Sequence, residues 1–286
     1  MDKKSKTIDR CQISGVQDLK TVLSLGYLPP VNKLNKINSS LREDVFYPAE
    51  LMFSPSSKLL QLSTIVDKEI LFPKEYPYTS STTKILRENF KELYEECRKI
   101  ISISSKDLII DIGSNDGNLL NNFKKHHKIL GITPEKIGKI AIKKGINTLI
   151  KYFNKDTANL ILKKFGRAKI VTATNVFAHI EDVNSLMKNL LQILINDGIF
   201  ISESHYLVSL IKTNQYDTIY HEHLRYYSLT SLKYLFNKYG MEIIHAKKIN
   251  THGGSIRVYA ARKKRFEIHK SVIKILNFEK KFLNWK

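Results

Sequence analysis

Cysteine is scarce in this sequence, and so are long apolar segments. The 286 residues include two cysteines, Cys11 and Cys97, which lie far apart. They suggest no disulfide framework, and we expect a reducing compartment. No apolar stretch approaches the ~18 residues of a membrane-spanning helix, and the N-terminal MDKKSKTIDR lacks the apolar run of a signal peptide. We therefore expect a cytoplasmic protein without a membrane partner.

Acidic residues are also few, since 27 Asp and Glu stand against 47 Lys and Arg, which gives a formal net charge of +20. Such a charge can indicate a nucleic-acid partner. The lysines, however, are spread along the whole chain among Ile and Asn, which is typical of a compositional bias. We therefore expect no nucleic-acid partner, and the positive field favours a phosphorylated small substrate.

Glycine and proline divide the chain into parts. They break residues 1–75 into short pieces without a long helical period, which predicts a small N-terminal unit. Residues 76–263 alternate apolar strand-like runs (DLIIDIG, HKILGIT, AKIVTATN, GIFISES) with helical patterns, including a predicted helix over 117–127. This alternation predicts an α/β fold with a mostly parallel sheet, and two strand-like runs around NTHGG predict a terminal antiparallel hairpin. Residues 264–286 form a basic tail that is predicted to be helical.

A glycine-containing turn follows the first predicted strand of the sheet, in DIGSNDGNLL (111–120). Glycine lets the backbone approach a ligand closely, and a following helix N-terminus offers free N–H groups. The spacing fits neither the dinucleotide fingerprint nor a phosphate-binding P-loop. It resembles motif I of class I S-adenosyl-L-methionine (SAM) methyltransferases, while an ordinary tight turn is the alternative. The cofactor interpretation makes six residues candidates for SAM binding: Asp111, Gly113, Ser114, Asn115, Asp116 and Gly117.

A second cluster, TIYHEHLRYYS (218–228), contains four adjacent residues with useful chemistry: Tyr220, His221, Glu222 and His223. In an extended backbone the two histidines would share one face, a spacing common among metal ligands. His205 and His252 would then be the candidates for a third ligand. The same residues also suit acid–base catalysis or a polar surface, and the residues alone leave all three open.

Several segments together resemble one family, the SAM-dependent sugar C-methyltransferases that act on nucleotide-linked keto-deoxysugars. They occur in the family's order over about residues 75–263: IGSNDGNLL, LGITP, ATNVFAHIEDV, NQYDTIYHEHLRYYSL and THGGSIRVYA. The resemblance implies a class I (Rossmann-like) fold with a mostly parallel seven-stranded sheet, a terminal antiparallel hairpin and a small N-terminal unit. It also implies SAM as the cofactor and a nucleotide-linked sugar as the substrate.

The resemblance also assigns roles to the second cluster. His223 would be the general base that removes the proton beside the keto group, which forms an enolate for methyl transfer. Tyr220 would be a donor or acid near the reacting carbon, Glu222 would orient a ligand or a histidine, and His221 would be catalytic or structural. Catalysis is then favoured over a metal site, and we expect no metal there.

Further ligand contacts are expected outside these two motifs. The glycine backbone of HGGS and the nearby arginine could hold a pyrophosphate or sugar oxygens, although a plain hairpin turn also requires such glycines. The predicted substrate residues are His252, Gly253, Gly254, Ser255 and Arg257. The remaining predicted SAM contacts are Tyr78, Ser80, Thr133 and Asn175.

One departure from the family pattern concerns the cofactor. Thr133 stands where such folds usually carry an acidic residue that binds the ribose hydroxyls. A hydroxyl makes a weaker contact than a carboxylate, so we expect SAM affinity to be weakened. Glu135, two residues further on, is an alternative ribose partner.

Two other departures concern zinc and substrate. Family members have a small N-terminal zinc-binding unit, but here serines stand at the cysteine positions (Ser14, Ser54 and Ser57) beside Cys11. Serine hydroxyls are poor zinc ligands, so we expect the zinc to be lost. Family members also continue into a C-terminal domain, and the tail is interpreted as a remnant of it. These departures leave open a truncated, non-catalytic or partner-dependent protein, and an O- or N-methyltransferase of another small molecule.

Overall fold

The N-terminal elements are short strands that form sheets of their own. The structure, a computed structural model, describes residues 5–32, 44–72 and 79–284. Its first elements are β1 (Ser5–Thr7), β2 (Lys20–Leu28), β3 (Tyr47–Ser54), β4 (Leu59–Leu62), β5 (Thr64–Val66) and the helical turn α1 (Lys68–Leu71). β1 pairs with β5, and β2, β3 and β4 pair in sequence.

The elements that follow alternate strands and helices, as expected. They are α2 (Lys84–Ile100), β6 (Leu108–Ile112), β7 (Lys128–Thr133), α3 (Gly138–Lys143), β8 (Thr148–Ile150), α4 (Lys155–Lys164), β9 (Ala168–Thr174), α5 (Val183–Ile193), β10 (Leu194–His205), α6 (Leu207–Lys212), β11 (Arg225–Tyr226), α7 (Leu229–Lys238), β12 (Met241–Ile249), β13 (Ser255–Arg262) and α8 (Lys270–Phe282). None of the helices in the described ranges is long and apolar enough to cross a membrane.

Seven of these strands form the central sheet, in the order β12-β13-β10-β9-β6-β7-β8. The five strands from β8 to β10 pair in parallel, and β13 is antiparallel to both of its neighbours. This order, with its antiparallel hairpin at one end, is that of the class I methyltransferase fold, so the predicted fold is confirmed.

Helices cover both faces of the sheet, which explains why its strands read as apolar runs. All five residues of β6 are buried. Ile109 packs into a cluster with Phe90 and Leu93 of α2, whereas Ile110 packs on the opposite face with residues of α4, α5 and α7. Successive side chains of one strand therefore serve two separate cores.

The helix predicted over 117–127 does not form, and a 3₁₀ turn at Leu120–Asn122 is found instead. The side-chain amide of Asn122 donates to the carbonyls of Asn118 and Leu119. Such local side-chain bonds compete with the helical backbone pattern. The asparagines in the segment thus override its apolar periodicity.

The tail forms helix α8, which packs on β12 and α7. Its Glu279 is fully buried and accepts hydrogen bonds from the backbone N–H groups of Leu229 (2.6 Å) and Thr230 (2.8 Å) at the start of α7. A carboxylate at a helix N-terminus satisfies free donors and complements the helix dipole. The tail therefore stabilises the helix that follows the 218–228 cluster.

The 218–228 cluster itself ends in a strand of the N-terminal sheet. β11 pairs antiparallel with β4, with Arg225 opposite Gln61 and Tyr226 opposite Leu60. The sheet order becomes β11-β4-β3-β2. The candidate catalytic segment is thus fixed to the N-terminal unit by backbone hydrogen bonds.

Arg225 strengthens this junction from inside the protein. Its side chain is 1% exposed and donates to Gln12 of the N-terminal unit, to the Ile180 carbonyl and to the Tyr227 hydroxyl (3.0 Å). A buried charge needs such partners to offset its lost hydration. The guanidinium therefore joins three segments that are distant in sequence.

We expect replacement of this arginine to loosen the junction. Arg225→Met keeps an apolar stem but leaves the part-buried Gln12 and Ile180 acceptors without this donor, and each such group costs about 1–3 kcal/mol when fully buried. The free energy of unfolding in urea should fall by about 2 kcal/mol or more. The exposed Arg10 provides the control Arg10→Met, which should change it by less than about 0.5 kcal/mol. Equal losses in both variants would contradict the role of the buried junction.

Candidate active site

A cavity of about 1040 Å³ opens at the carboxyl ends of the central strands, where ligands bind in open α/β sheets. It has three walls, made by the ends of β6, β7 and β9, by the 218–228 cluster, and by the N-terminal unit. Representative lining residues from these walls are Asp111, Thr133, Asn175, Tyr220, His223, Ile65 and Phe72. The two sequence motifs therefore face one common space.

The two glycines of the turn after β6 serve different purposes. Gly113 lines the cavity with φ at +78°, and a Cβ there would lie 2.2 Å from Cγ2 of Val176. Gly117 has φ at +80°, but a Cβ there would meet Cδ1 of Ile146 at 2.4 Å. Gly117 does not line the cavity, so its position favours a packing role, and its predicted cofactor contact stays a prediction.

Three buried polar atoms of cavity-lining residues have no partner among the described residues: Oγ of Ser114, Oδ1 of Asn175 and Nδ1 of His221. Unpaired buried polar atoms are costly and rare in native proteins. Ser114 and Asn175 lie beside Gly113 and Val176, and their position fits a polar ligand at this end of the cavity, as predicted for SAM.

Asp111 ends β6 at the same place. Its carboxyl group accepts a hydrogen bond from Oγ1 of Thr172 at 2.6 Å. Burial raises the pKa of Asp111 to about 7, with nearby Glu203 acting in the same direction and the Thr172 hydrogen bond opposing them. The carboxyl group is thus poised to ionise near neutral pH, and a cationic ligand would favour the ionised form.

The other polar residues of the turn hold the segment at Ser80. Asn115 accepts the Ser80 backbone N–H at 2.9 Å, and Asp116 accepts its hydroxyl at 2.7 Å and Nζ of Lys144 at 2.9 Å. Ser80 and Asn115 line the cavity, whereas Asp116 does not. The placement of Asp116 does not favour its predicted cofactor contact, which stays a prediction. The predicted contact at Tyr78 lies outside the described residues.

The end of β7 lacks an acidic residue, but the carboxylate of Glu135, two residues further on, lies beside it. Thr133 donates its hydroxyl hydrogen bond to the Glu135 carboxylate, and both side chains line the cavity. A carboxylate therefore stands close to the strand end although the strand itself carries threonine.

Three other histidines lie close to the base candidate, His223, or to its neighbour. The ring centroid of His223 lies 4.6 Å from that of His205 and 5.0 Å from that of His179, and His205 lies 5.8 Å from His252. Nδ1 of His223 bonds the Thr218 carbonyl at 2.7 Å, so Nδ1 must be the donor and Nε2 of the neutral ring carries the free lone pair. Burial, chiefly, lowers the pKa of His223 to about 3, which keeps the ring neutral at pH 7.

Tyr220 and Glu222 flank this base. The Tyr220 ring centroid is 4.2 Å from that of His223, and burial raises the Tyr220 pKa to about 12, so the hydroxyl stays a neutral donor. Glu222 is buried and accepts a hydrogen bond from the side-chain amide of Asn32, while its carbonyl bonds Nδ1 of His179 at 2.7 Å. Both side chains line the cavity.

His221 faces the N-terminal unit more than the base. Its Nε2 bonds the Pro48 carbonyl at 3.1 Å, and its ring packs edge-on against Tyr47. This contact favours the structural alternative for His221. Because His221 and His223 bond different carbonyls, they do not form the paired ligands that their spacing allowed. Across the described ranges, no group of three His, Cys, Asp or Glu side chains is arranged to hold a metal ion.

Arg257 is not available to a substrate. Its fully buried guanidinium bonds Glu203 (2.5 Å), Glu96 (2.5 Å) and the side chain of Asn89 (2.7 Å). These partners satisfy the charge inside the protein and link β13, β10 and α2. These ion pairs do not favour the predicted substrate role of Arg257. The sequence did not reveal them because Glu203 and Glu96 lie far from Arg257 along the chain.

Only one residue of the HGGS segment lines the cavity, namely His252. Gly253 and Gly254 have φ of +73° and +112°, and a Cβ would clash with Gln215 and Ser209 respectively. Ser255 donates to the Thr251 carbonyl at 3.0 Å. These three residues shape the hairpin turn, so their predicted contact with substrate is not supported.

The wall made by the N-terminal unit and the residues after β8 was missed by the sequence analysis. Lys68 lines the cavity together with Tyr152 and Phe153, and its Nζ lies 4.2 Å from the Tyr152 ring centroid. β8 has three residues and no strong pattern, so its end was not recognised. The available signal was the parallel sheet, in which every strand end reaches the same edge.

The serines predicted to replace zinc ligands do come together around the remaining cysteine. Sγ of Cys11 lies 3.1 Å from the Ser57 hydroxyl, Ser57 bonds Ser54 at 3.0 Å, and Ser54 donates to Asp18 at 2.8 Å. Ser14 donates its backbone N–H to the same sulfur. One thiol with hydroxyl groups does not suit tetrahedral zinc, and the serines fill the site with hydrogen bonds instead.

Two family models match the chain. One, described as a methyltransferase domain, matches residues 84–246, and one described as a zinc binding domain matches residues 11–72. The first covers the central sheet up to β12, and the second covers the N-terminal strands around Cys11.

Individual relatives were also found. C-methyltransferase NovU of Streptomyces niveus is 30% identical over 258 residues, which are 90% of this chain and 61% of that protein. Magnesium protoporphyrin IX methyltransferase from Synechocystis PCC 6803, solved with bound SAH, has a TM-score of 0.48 and 11% identity over 62% of this chain and 83% of its own. A SAM-dependent methyltransferase from Clostridium acetobutylicum has a TM-score of 0.46 and 14% sequence identity. The match covers 64% of this chain and 93% of that protein.

The serine cluster predicts the metal content of the protein. Purified without chelators, the wild type should contain far less than one zinc per chain by elemental analysis. The variant Ser14→Cys/Ser54→Cys/Ser57→Cys should bind about one, because four thiolates would converge. The control Ser14→Cys/Ser54→Cys/Ser56→Cys uses an exposed serine and should bind zinc at least tenfold more weakly. One zinc per chain in the wild type would show that the serines do not exclude the metal.

Proposed function

Because the chain belongs to the family of SAM-dependent methyltransferases, we propose that it methylates the carbon beside the keto group of a nucleotide-linked deoxysugar. The observation that carries the proposal is His223, whose basic Nε2 is set beside Tyr220 at the cavity. Similarity to C-methyltransferase NovU over 90% of the chain supports carbon as the acceptor. The chain spans 61% of that relative's length.

SAM fits the residues at the sheet edge. When bound, it supplies an electrophilic methyl group on a sulfonium sulfur. Asp111 would accept the ammonium group of its amino-acid end, and Ser114 and Asn175 would use their unpaired oxygens in the same region. The paired Thr133 and Glu135 would hold the ribose hydroxyls, because a carboxylate accepts strong hydrogen bonds.

The base must be neutral before reaction and must be aimed at the substrate. His223 meets both needs, since burial keeps it unprotonated and the Thr218 carbonyl fixes its tautomer and ring orientation. Nε2 would take the proton beside the ketone, which leaves the electron pair on carbon as an enolate. A fixed donor is worth most where negative charge develops, and the neutral Tyr220 hydroxyl would bond the enolate oxygen.

The diphosphate of the substrate needs partners other than Arg257. Four lysines contribute to the cavity wall: Lys68, Lys151, Lys155 and Lys188. Lysine ammonium groups suit phosphate oxygens. We assign the nucleotide end of the substrate to lysines of this set, and the keto sugar to the histidine end.

The proposal is tested with deuterium beside the keto group. Incubation with SAM and a panel of nucleotide-linked keto-deoxysugars should give a methylated carbon and loss of that deuterium. His223→Gln should lower the rate by about 10²- to 10⁴-fold, as expected for a lost general base, without changing SAM affinity more than twofold. The exposed His126 provides the control His126→Gln, which should behave as the wild type.

Other outcomes have clear meanings. Methyl transfer with retention of deuterium would indicate an O- or N-methyltransferase. If neither SAM nor thymidine diphosphate shifts the melting temperature, the chain is a non-catalytic relative.

Asp111 predicts a pH dependence of SAM binding. Its pKa is raised to about 7, so the carboxylate that favours the SAM cation is present above pH 7 and is lost as the pH falls. Calorimetric titration should therefore give a dissociation constant roughly eightfold larger at pH 6 than at pH 7.5. Asp111→Asn should bind weakly at both pH values, with a ratio near one. Equal wild-type affinity at the two pH values would contradict the assignment of Asp111.

A further inference from the structure

We propose that His205 and His252 form a proton relay that carries the proton taken up by His223 to the solvent. The inference rests on the proposed function, because methylation of carbon leaves one proton on the enzyme in every turnover. The C–H bond breaks and its electron pair forms the new C–C bond. The S–CH₃ bond breaks with its electron pair staying on sulfur, so the proton on Nε2 of His223 is the remaining product.

This proton has no direct exit from the base. His223 is 4% exposed, and its Nδ1 is already committed to the Thr218 carbonyl. Bound substrate would cover Nε2 from the cavity side. While substrate or product occupies the cavity, a neighbouring group is therefore needed to accept the proton.

His205 is placed to accept it. Its ring centroid is 4.6 Å from that of His223, and it lines the same cavity. Across the described part of the chain, neither ring nitrogen of His205 has a hydrogen-bond partner. His179 is also close to His223, but its Nδ1 is held by the Glu222 carbonyl. His205 is thus the neighbour with both nitrogens free to take and pass on a proton.

His252 extends the path outwards. It lies 5.8 Å from His205 between ring centroids, lines the cavity and is exposed at its rim. Exposure therefore increases along the path from the buried His223 through the partly buried His205 to His252. A proton moving in this direction gains hydration at each step.

The hairpin brings the rings of His205 and His252 close together. His205 ends β10 opposite Ser255, and His252 lies in the turn just before β13. His252 has φ at +51° without being glycine. Such a conformation costs of order 1–3 kcal/mol and tends to occur at functional sites. In this fold it keeps the His252 ring over the end of β10.

Repulsion between protonated imidazoles would limit His223, His205 and His252 to one proton at a time. The titratable groups close to His205 and His252 are His223 and His179, with Tyr220 and Glu222 beside those two rings. Burial, with added repulsion from His223 and His252, lowers the pKa of His205 to about 3. A second proton on adjacent imidazoles is disfavoured, so the first must leave before another is taken up.

Kinetics provide the first test. In His205→Gln, the first turnover should stay within about twofold of wild type, while the steady-state rate should fall at least tenfold, which gives a burst of one product per site. Added imidazole should restore the steady state by accepting the proton. The control His126→Gln should show no burst. Equal losses in both phases without imidazole rescue would indicate a structural role and overturn the relay.

A second test does not depend on methyl transfer. Histidine labelled with ¹³C at Cε1 allows each ring to be titrated by NMR in the full chain. His205→Gln should shift the titration midpoints of both His223 and His252, whereas His126→Gln should shift neither. Carbon methylation with unshifted midpoints would overturn the relay alone. Shifted midpoints in a protein that methylates no carbon would overturn the proposed function, and the relay's role with it.

Discussion

The buried guanidinium of Arg225 is the interaction on which the site depends. It touches the N-terminal unit through Gln12, the loop after β9 through Ile180, and its own segment through Tyr227. A charge in the protein interior tolerates little displacement, because each lost partner leaves a desolvation cost. The three walls of the cavity are therefore held in one arrangement by a residue that lies outside it.

Burial then sets the chemistry of what these walls enclose. The imidazoles lose hydration, and their pKa values fall far below 6.5, so they remain neutral donors and acceptors. The same burial acts in the opposite direction on Asp111, whose pKa rises towards neutrality. One dry cavity thus yields neutral bases at one end and an easily ionised acid at the other.

Local sequence patterns predicted those elements whose formation depends on neighbouring residues along the chain. Apolar runs identified β6, β7, β9 and β10, because a strand covered on both faces must be apolar. Family resemblance pointed to His223 and Tyr220, and the structure sets them side by side at the cavity. Their chemical roles remain predictions.

Tertiary partners decided the rest. The sequence suggested Arg257 as a phosphate ligand, but its guanidinium is paired with Glu203 and Glu96. It suggested Asp116 as a cofactor contact, but its carboxylate is bound by Ser80 and Lys144. Neither pairing leaves a pattern that one sequence reveals. The asparagines after Gly117 likewise prevented a helix that apolar spacing alone had indicated.

The pairing of β11 with β4 also has a consequence for how the chain folds during synthesis. Arg225 of β11 lies opposite Gln61 of β4, which precedes it by 225 − 61 = 164 positions. The N-terminal sheet therefore keeps an open edge at β4 until most of the polypeptide has emerged from the ribosome. Such non-local pairing slows folding, and an open strand edge invites association with other chains.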